Sequence, residues 1–370
     1  MEATPAPPVP LEQEAHIPRP GAAGLLRQGL RRLATSYTFR VILQGALTLW
    51  AVTTFTFVMI RQMPGNPVDI KIDQLMQTRG MTYEEARNMA AGLFEFDPDA
   101  PIVEQYLDYM GKLIRGDMGQ SISSAGTPVI DQILRYLPWT LFSVGSGLLI
   151  SFTLGVFIGM AMAYWRGSAF DNVMTAFSSI VYGIPDFVIA LLILLVAGVQ
   201  LQLFRVGSVL GGVDNDIQAG FNLSYIGSLI KHAALPVLTY VLASVGGWIL
   251  TMKSSTISTL GEDYITVARA RGLSEGRILT AYVGRNAMLP LVTRLAISIG
   301  FVVGGSVIIE TIFLYPGLGR HLFLAIGSRD YTTMQGVFLV IAFTVVASNI
   351  LADLLFGLLD PRVRVGGQKS

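Results

Sequence analysis

Six apolar runs constrain this chain more than anything else in it: Val41 to Ile60, Trp139 to Trp165, Asn172 to Phe204, Ala233 to Met252, Leu291 to Ile309 and Tyr331 to Gly357. Crossing roughly 30 Å of hydrocarbon takes about 20 residues of helix, and each run approaches or exceeds that length. Lipid offers no water to backbone N–H and C=O groups, so a spanning segment must be a helix or a strand of a closed barrel. Runs this long exclude strands. Composition agrees, with 52% hydrophobic and only 14% charged residues, against about 25% charged in soluble domains. The expected fold class is all-α, a polytopic membrane bundle of six transmembrane helices.

Basic residues set the expected orientation. Arg27, Arg31, Arg32 and Arg40 precede the first run and Arg166 follows the second. Lys253, Arg269, Arg271, Arg277 and Arg285 lie between the fourth and fifth, and Arg362, Arg364 and Lys369 follow the sixth. With six spans all of them fall on one side, which the positive-inside rule makes cytoplasmic, so both termini are expected inside a cell membrane. The connection 61–138 carries seven Lys or Arg against eleven Asp or Glu, a balance of −4. It is expected outside, as short helices without a core of their own. Thr82 and Glu85 suit a capping box at the start of one of them.

The expected organisation is a Pro-rich tail with a possible surface helix over 1–40, a first span over 41–60, the outer connection 61–138, a five-helix core over 139–362 and a tail over 363–370. The proline pattern of the first twenty residues favours an extended tail, and Leu25 to Phe39 fits either an amphipathic surface helix or a solvated lead-in. There is no cysteine, which removes disulfides and thiolate metal sites.

Several residues interrupt the apolar runs. Gly183, Ile184 and Pro185 are expected to break the third, placing Asp186 beside the break. A charge in hydrocarbon costs at least about 2.5 to 3.5 kcal/mol, so it should face protein or water. Asp186, Glu310 and Asp353 each fit two roles, a helix cap or interhelical hydrogen bond on one side and a wall of the solute path on the other. His232 and His321 sit too near the outer end for a proton relay. Gly155 with Gly159, and Gly300 with Gly304, have the four-residue spacing that lets helices approach closely.

The most specific stretch is 253–290. Gly261, Glu262 and Asp263 suit a helix start with negative charge at its amino end. Tyr264 to Arg271 would continue it, Gly272 would allow a sharp turn, and Ser274 to Asn286 suits a second helix before re-entry at Leu289 and Pro290. Ile265, Ala268 and Leu273 alternate with Arg269 and Arg271, which reads as a knob with an apolar tip and a basic rim.

These residues resemble the membrane subunits of ATP-binding-cassette importers, in particular the dipeptide and oligopeptide permease type. Ala268, Arg269, Ala270, Arg271, Gly272 and Leu273, then Arg285, Asn286, Ala287, Leu289 and Pro290, are similar to that family's EAA loop, although Thr266, Val267 and Ala268 stand where its acidic residue lies. The resemblance extends to Arg61, Pro64, Gly65, Asn66 and Pro67, to Gly116, Asp117, Met118, Gly119 and Ser121, and to Leu137, Pro138 and Thr140. Late in the chain it covers Glu310, Thr311, Phe313, Pro316, Gly317, Leu318 and Gly319, Arg329 to Tyr331, Asp353, and Leu359 to Arg362.

The resemblance implies a type I importer permease fold in which Asp263, Tyr264, Ala268, Arg269, Ala270, Arg271, Gly272 and Leu273 couple to an ATPase. It also implies a second homologous permease, two cytoplasmic ATPase subunits that bind ATP and Mg, an extracytoplasmic solute-binding protein, and no nucleic acid. Solute would move by alternating access, the cargo being peptides or, in similar importers, nickel, glutathione or oligosaccharides. No GxxxxGK[ST] phosphate loop occurs in the chain, so a catalytic role in ATP hydrolysis is not expected of it. A secondary transporter would carry coupling-ion sites and commonly internal repeats, and no repeat is apparent.

Overall fold

The computed structural model describes residues 37–62, 67–93, 100–124, 126–218, 220 and 222–359. The expected amino-terminal tail up to residue 36, the tail 363–370, and Pro64 to Asn66 and Asp360 to Arg362 lie outside the described residues. The chain divides into Met1–Ala46 and Leu47–Ser370, and the packing that follows belongs to the second unit.

Among the described residues the chain is helical, with a single isolated β-bridge between Gln120 and Pro128. Helix α1 is Tyr37–Arg61, followed by three short helices, α2 Pro67–Arg79, α3 Tyr83–Leu93 and α4 Ile102–Ile114. The Thr82–Glu85 capping box forms at α3, with Thr82 N–H donating to the Glu85 carboxylate at 3.0 Å. Those bonds hold the exposed carboxyl below its ordinary range. Among the described residues the connection 61–138 has no core cluster of its own: Ile72, Leu75, Ala86 and Ala90 share one cluster with Val129, Ile133, Leu318 and Val337.

The long elements are α5 Val129–Tyr164, α6 Ala169–Gly183, α7 Asp186–Leu192 continued by π-helical turns over Ile193–Gln200, and α8 Leu223–Leu260. The second span thus begins ten residues before the expected Trp139, with Pro138 inside the helix. The third span breaks where expected, and its halves meet at 103°. A residue before proline is driven out of the helical region, and Ile184 is extended at φ −88° and ψ 127°.

After α8 come α9 Asp263–Ala270, α10 Glu275–Arg277, π-helical turns over Ile278–Gly284, α11 Arg285–Ala287 and α12 Leu289–Val302. The chain ends in α13 Val307–Ile312, α14 Leu318–Gly327 and α15 Tyr331–Leu359. Among the described residues four helices are long and apolar enough to cross a membrane, five counting the bent pair as one span. The expected fifth span, Leu291 to Ile309, is not a single helix. Helix α12 has 14 residues, about 21 Å at 1.5 Å per residue, and a turn with Gly305 at φ +61° separates it from α13. Six uninterrupted spans are therefore not present among the described residues.

Close approaches fix the helix directions. Gly147 meets Tyr240, Gly155 meets Trp248, and Gly159 meets Ile249 and Met252. Numbers rise together, so α5 and α8 run parallel. Gly246 meets Ser178 while Lys253 pairs with Asp171, so α6 runs opposite to α8. Ser255 bonds Ala287 and Thr251 bonds Arg294, so α12 also opposes α8. Gly300 against Ser348 and Gly304 against Ile341 make α15 antiparallel to α12. One end of this bundle therefore gathers 165–168 and 261–288, and the other gathers 201–222 and 303–330.

Helix α8 is central, with 56% of its most apolar window buried against 28% or less in the other three long spans. Around it apolar surface is exposed, including Phe157 of α5, Ile180 of α6, Phe301 of α12 and Phe343 of α15. An apolar surface this extensive needs lipid or another protein against it.

Candidate coupling surface and central cleft

Helix α9 begins with Asp263 in its first turn, where a carboxylate complements the positive end of the helix dipole. It stops at a Schellman turn: Gly272 N–H donates to Arg269 O at 2.9 Å and Leu273 N–H to Ala268 O at 3.3 Å. The turn needs a left-handed residue, and Gly272 has φ +73°. A side chain there would meet nothing within 4 Å, so backbone conformation alone demands glycine.

One face of α9 is anchored. Ile265 and Ala268 are buried in a cluster with Val156 of α5, Trp248 and Met252 of α8, Ile278 and Val283 of the π-helical turns, Ala287 of α11 and Leu291 of α12. This corrects the expected apolar tip: the greasy residues point into the bundle, because Ile265 and Ala268 lie one turn apart on the same side. Asp263, Tyr264, Thr266, Val267, Arg269, Ala270 and Arg271 form the exposed face, and Leu273 packs partly against the cluster.

Polar braces tie the segment together. Arg269 Nε donates to Glu275 Oε1 at 3.0 Å across the turn, and Asn286 Nδ2 donates to Tyr264 Oη at 3.0 Å and to Tyr282 O at 2.8 Å. Ser255 Oγ of α8 reaches Ala287 O at 2.8 Å. Arg271, Arg277 and Arg285 are exposed. A helix held on α5, α8 and α12 and presenting a basic rim is mechanically suited to pass a push from a partner into the bundle.

The path candidates part company in the structure. Asp186 lines a cleft of about 370 Å³ with Val144, Leu148, Tyr240, Ser244 and Ser298 among its other walls. Glu310 is fully buried. Its carboxylate accepts from Thr140 Oγ1 at 2.8 Å and Arg320 N–H at 2.9 Å, and Leu318 N–H donates to Thr140 Oγ1 at 2.7 Å. Any side chain at Gly317 would collide with that carboxylate. Glu310 thus sits at the amino end of α14, where free N–H groups favour an anion, in the capping role considered for it. Asp353 lies in α15, and its side chain is outside the described residues.

The roles of two groups escaped the reading of the sequence, and a third, Asp330, was seen only through the family resemblance. Lys253, counted above with the loop, pairs with buried Asp171 at the start of α6. Arg294, inside the fifth apolar run, stacks 4.7 Å over the Trp248 ring and donates to Thr251 Oγ1 at 3.2 Å. Its position in that run was the available signal. Asp330 is buried and accepts from the Ser121 and Ser123 hydroxyls and from the N–H groups of Ser123 and Thr333. Burial pushes its carboxyl upward, but those four bonds outweigh it and hold the group below the ordinary range.

Comparison with known proteins settles the family. Residues 155–365 match the family described as the binding-protein-dependent transport system inner membrane component. The chain belongs to this family. The matched range holds α9, Gly272, Asp186, Glu310 and Asp330. This permease is 31% identical over 331 residues to the dipeptide transport system permease protein DppB of Escherichia coli (strain K12), covering 86% of this chain and 95% of that one. It is 31% identical over 329 residues to the oligopeptide transport system permease protein AppB of Bacillus subtilis (strain 168), covering 89% and 99%. It is also 31% identical over 328 residues to the di/tripeptide transport system permease protein DppB of Pseudomonas aeruginosa (strain UCBPP-PA14), covering 86% and 95%. The permease is a multi-pass inner-membrane transport component with the type I fold of its family, non-catalytic itself, and works with ATPase and substrate-binding partners.

Proposed function

We propose that this permease forms half of the translocation path of an ATP-driven importer for di- or oligopeptides. The substrate class follows the names of its relatives, two of which are dipeptide or di/tripeptide permeases and one an oligopeptide permease. A second homologous permease completes the path, two ATPase subunits bind ATP and Mg, and a binding protein delivers solute to the end that carries Glu310 and Asp330. The end carrying 261–288 faces the cytoplasm, as its arginines favour, which puts both termini inside.

The observation that carries the mechanism is the anchoring of α9. Its buried face shares one cluster with α5, α8 and α12, so an ATPase that moves the exposed face, Asp263 to Leu273, moves all three helices together. Asp186 lines the path. Glu310 fixes the start of α14 against α5 at the outer end.

Proteoliposomes holding both permeases, both ATPases and the binding protein test this with labelled trialanine. Uptake should require ATP and loaded binding protein. Replacing Arg269 and Arg271 together by alanine should reduce uptake about tenfold while the chain still inserts and pairs with its partner permease. Uptake unchanged in that variant would refute the coupling role of α9.

A further inference from the structure

The cleft at the elbow of the third span holds a carboxylate and no cation. Asp186 accepts from Phe187 N–H at 2.9 Å and forms no ion pair among the described residues. The basic groups of the neighbouring helices are committed elsewhere, Arg294 to Trp248 and Thr251, Lys253 to Asp171. Asp186 is half-buried and faces the cleft without a counter-charge, so an arriving cation would meet an uncompensated negative charge there.

The hydroxyls of the cleft point to the same kind of visitor. A serine hydroxyl has one proton and two lone pairs. Ser244 Oγ spends its proton on Tyr240 O at 2.7 Å and Ser298 Oγ spends its own on Arg294 O at 2.8 Å. Both present only acceptors to the cleft they line with Asp186. Tyr240 lines the same space, and its buried hydroxyl faces the Ser306 N–H as an acceptor while its own proton finds no acceptor by strict geometry, leaving it able to donate to a carbonyl. One carboxylate and two acceptor hydroxyls suit a primary ammonium, which offers three N–H donors. A bare hard cation would need six or more oxygens, more than the cleft supplies. The volume, about 370 Å³, lies within the roughly 300–1,000 Å³ of small-molecule sites.

We infer that the cleft formed by Asp186, Tyr240, Ser244 and Ser298 is a subsite for the α-ammonium group of a peptide in transit, with Asp186 as its counter-charge. The inference rests on the peptide reading above and adds which end of the solute this chain holds. Peptides would then pass the elbow with their amino end against this subunit, and a blocked amino terminus would lose the contact.

The test uses the purified complex of both permeases and both ATPases without binding protein, and measures equilibrium binding of labelled trialanine and N-acetyl-trialanine. Trialanine should bind the natural complex about tenfold more tightly than the acetylated probe. D186N should lose that preference, and D186E should keep most of it. Equal binding of the two probes, or no binding of trialanine, overturns the subsite. The acetylation comparison is made on the natural chain, so it does not depend on how D186N folds. Failure of ATP-driven trialanine uptake by the whole importer would instead strike at the peptide reading. Uptake that persists without the binding difference would overturn the ammonium subsite alone.

Discussion

At Gly272 a single backbone angle carries the argument. Its φ of +73° in open space means that a bulky residue is penalised by conformation and not by crowding. A β-branched side chain in the left-handed region costs about 1–2 kcal/mol, enough to unwind the turn after α9 but not the spans. Gly272→Val should insert normally, yet show ATPase activity that no longer rises with loaded binding protein; a normal response would contradict the rigid-turn account. Asp330 makes a different case. Four hydrogen bonds hold its carboxyl below the ordinary value despite burial, so its contribution is complete above about pH 4, the usual unfolded value. That contribution disappears as pH falls through the lower folded value. Asp330→Asn should lower stability by about 2 kcal/mol near neutrality and flatten the acid limb of a pH series of melting temperatures. Gly272 was legible in the sequence because a glycine between two helix-compatible runs has local meaning. Asp330 was visible only as part of a family likeness, because Ser121 and Ser123 are 209 and 207 residues away.

Among the elements, legibility followed the same division between local and distant causes. The break at Gly183, Ile184 and Pro185 could be read directly, since proline acts on its immediate neighbour. The break after α12 could not, because Gly304 and Gly305 fit a close helix contact as well as a turn. Gly304 does face Ile341 of α15, while Gly305 takes the left-handed angle that ends the helix. The burial of Ile265 and Ala268 was likewise hidden, since the cluster that receives them comes from five other segments. Gly155 and Gly159 announced a close contact but not its partner, α8. There a side chain on Gly159 would come within 2.5 Å of Ile249 O and 2.7 Å of Met252 Cβ. Overpacking of this kind typically costs 1–3 kcal/mol. Gly159→Leu should therefore lower the melting temperature and the yield of folded permease, whereas Gly276→Ala, with nothing within 4 Å, should change neither.

For the whole molecule, coupling depends on which end faces which compartment. The helix directions put 261–288 and 201–222 at opposite ends of the bundle, and the arginines of the first stretch argue that it lies inside. The absence of cysteine makes a clean labelling experiment possible. Ser274 and Asn215 are exposed positions, one at each end, and neither side chain caps a helix or joins an ion pair among the described residues. In right-side-out membrane vesicles a maleimide that cannot cross lipid should label N215C at once and S274C only after the vesicles are opened. The reverse pattern would place α9 beyond the reach of any cytoplasmic ATPase and end the coupling proposal, however well the turn at Gly272 is built. The expected pattern would join the basic rim, the anchored helix and the cleft in one direction of work: a push received at the inner end, carried along α5, α8 and α12, and expressed as movement of the walls around Asp186.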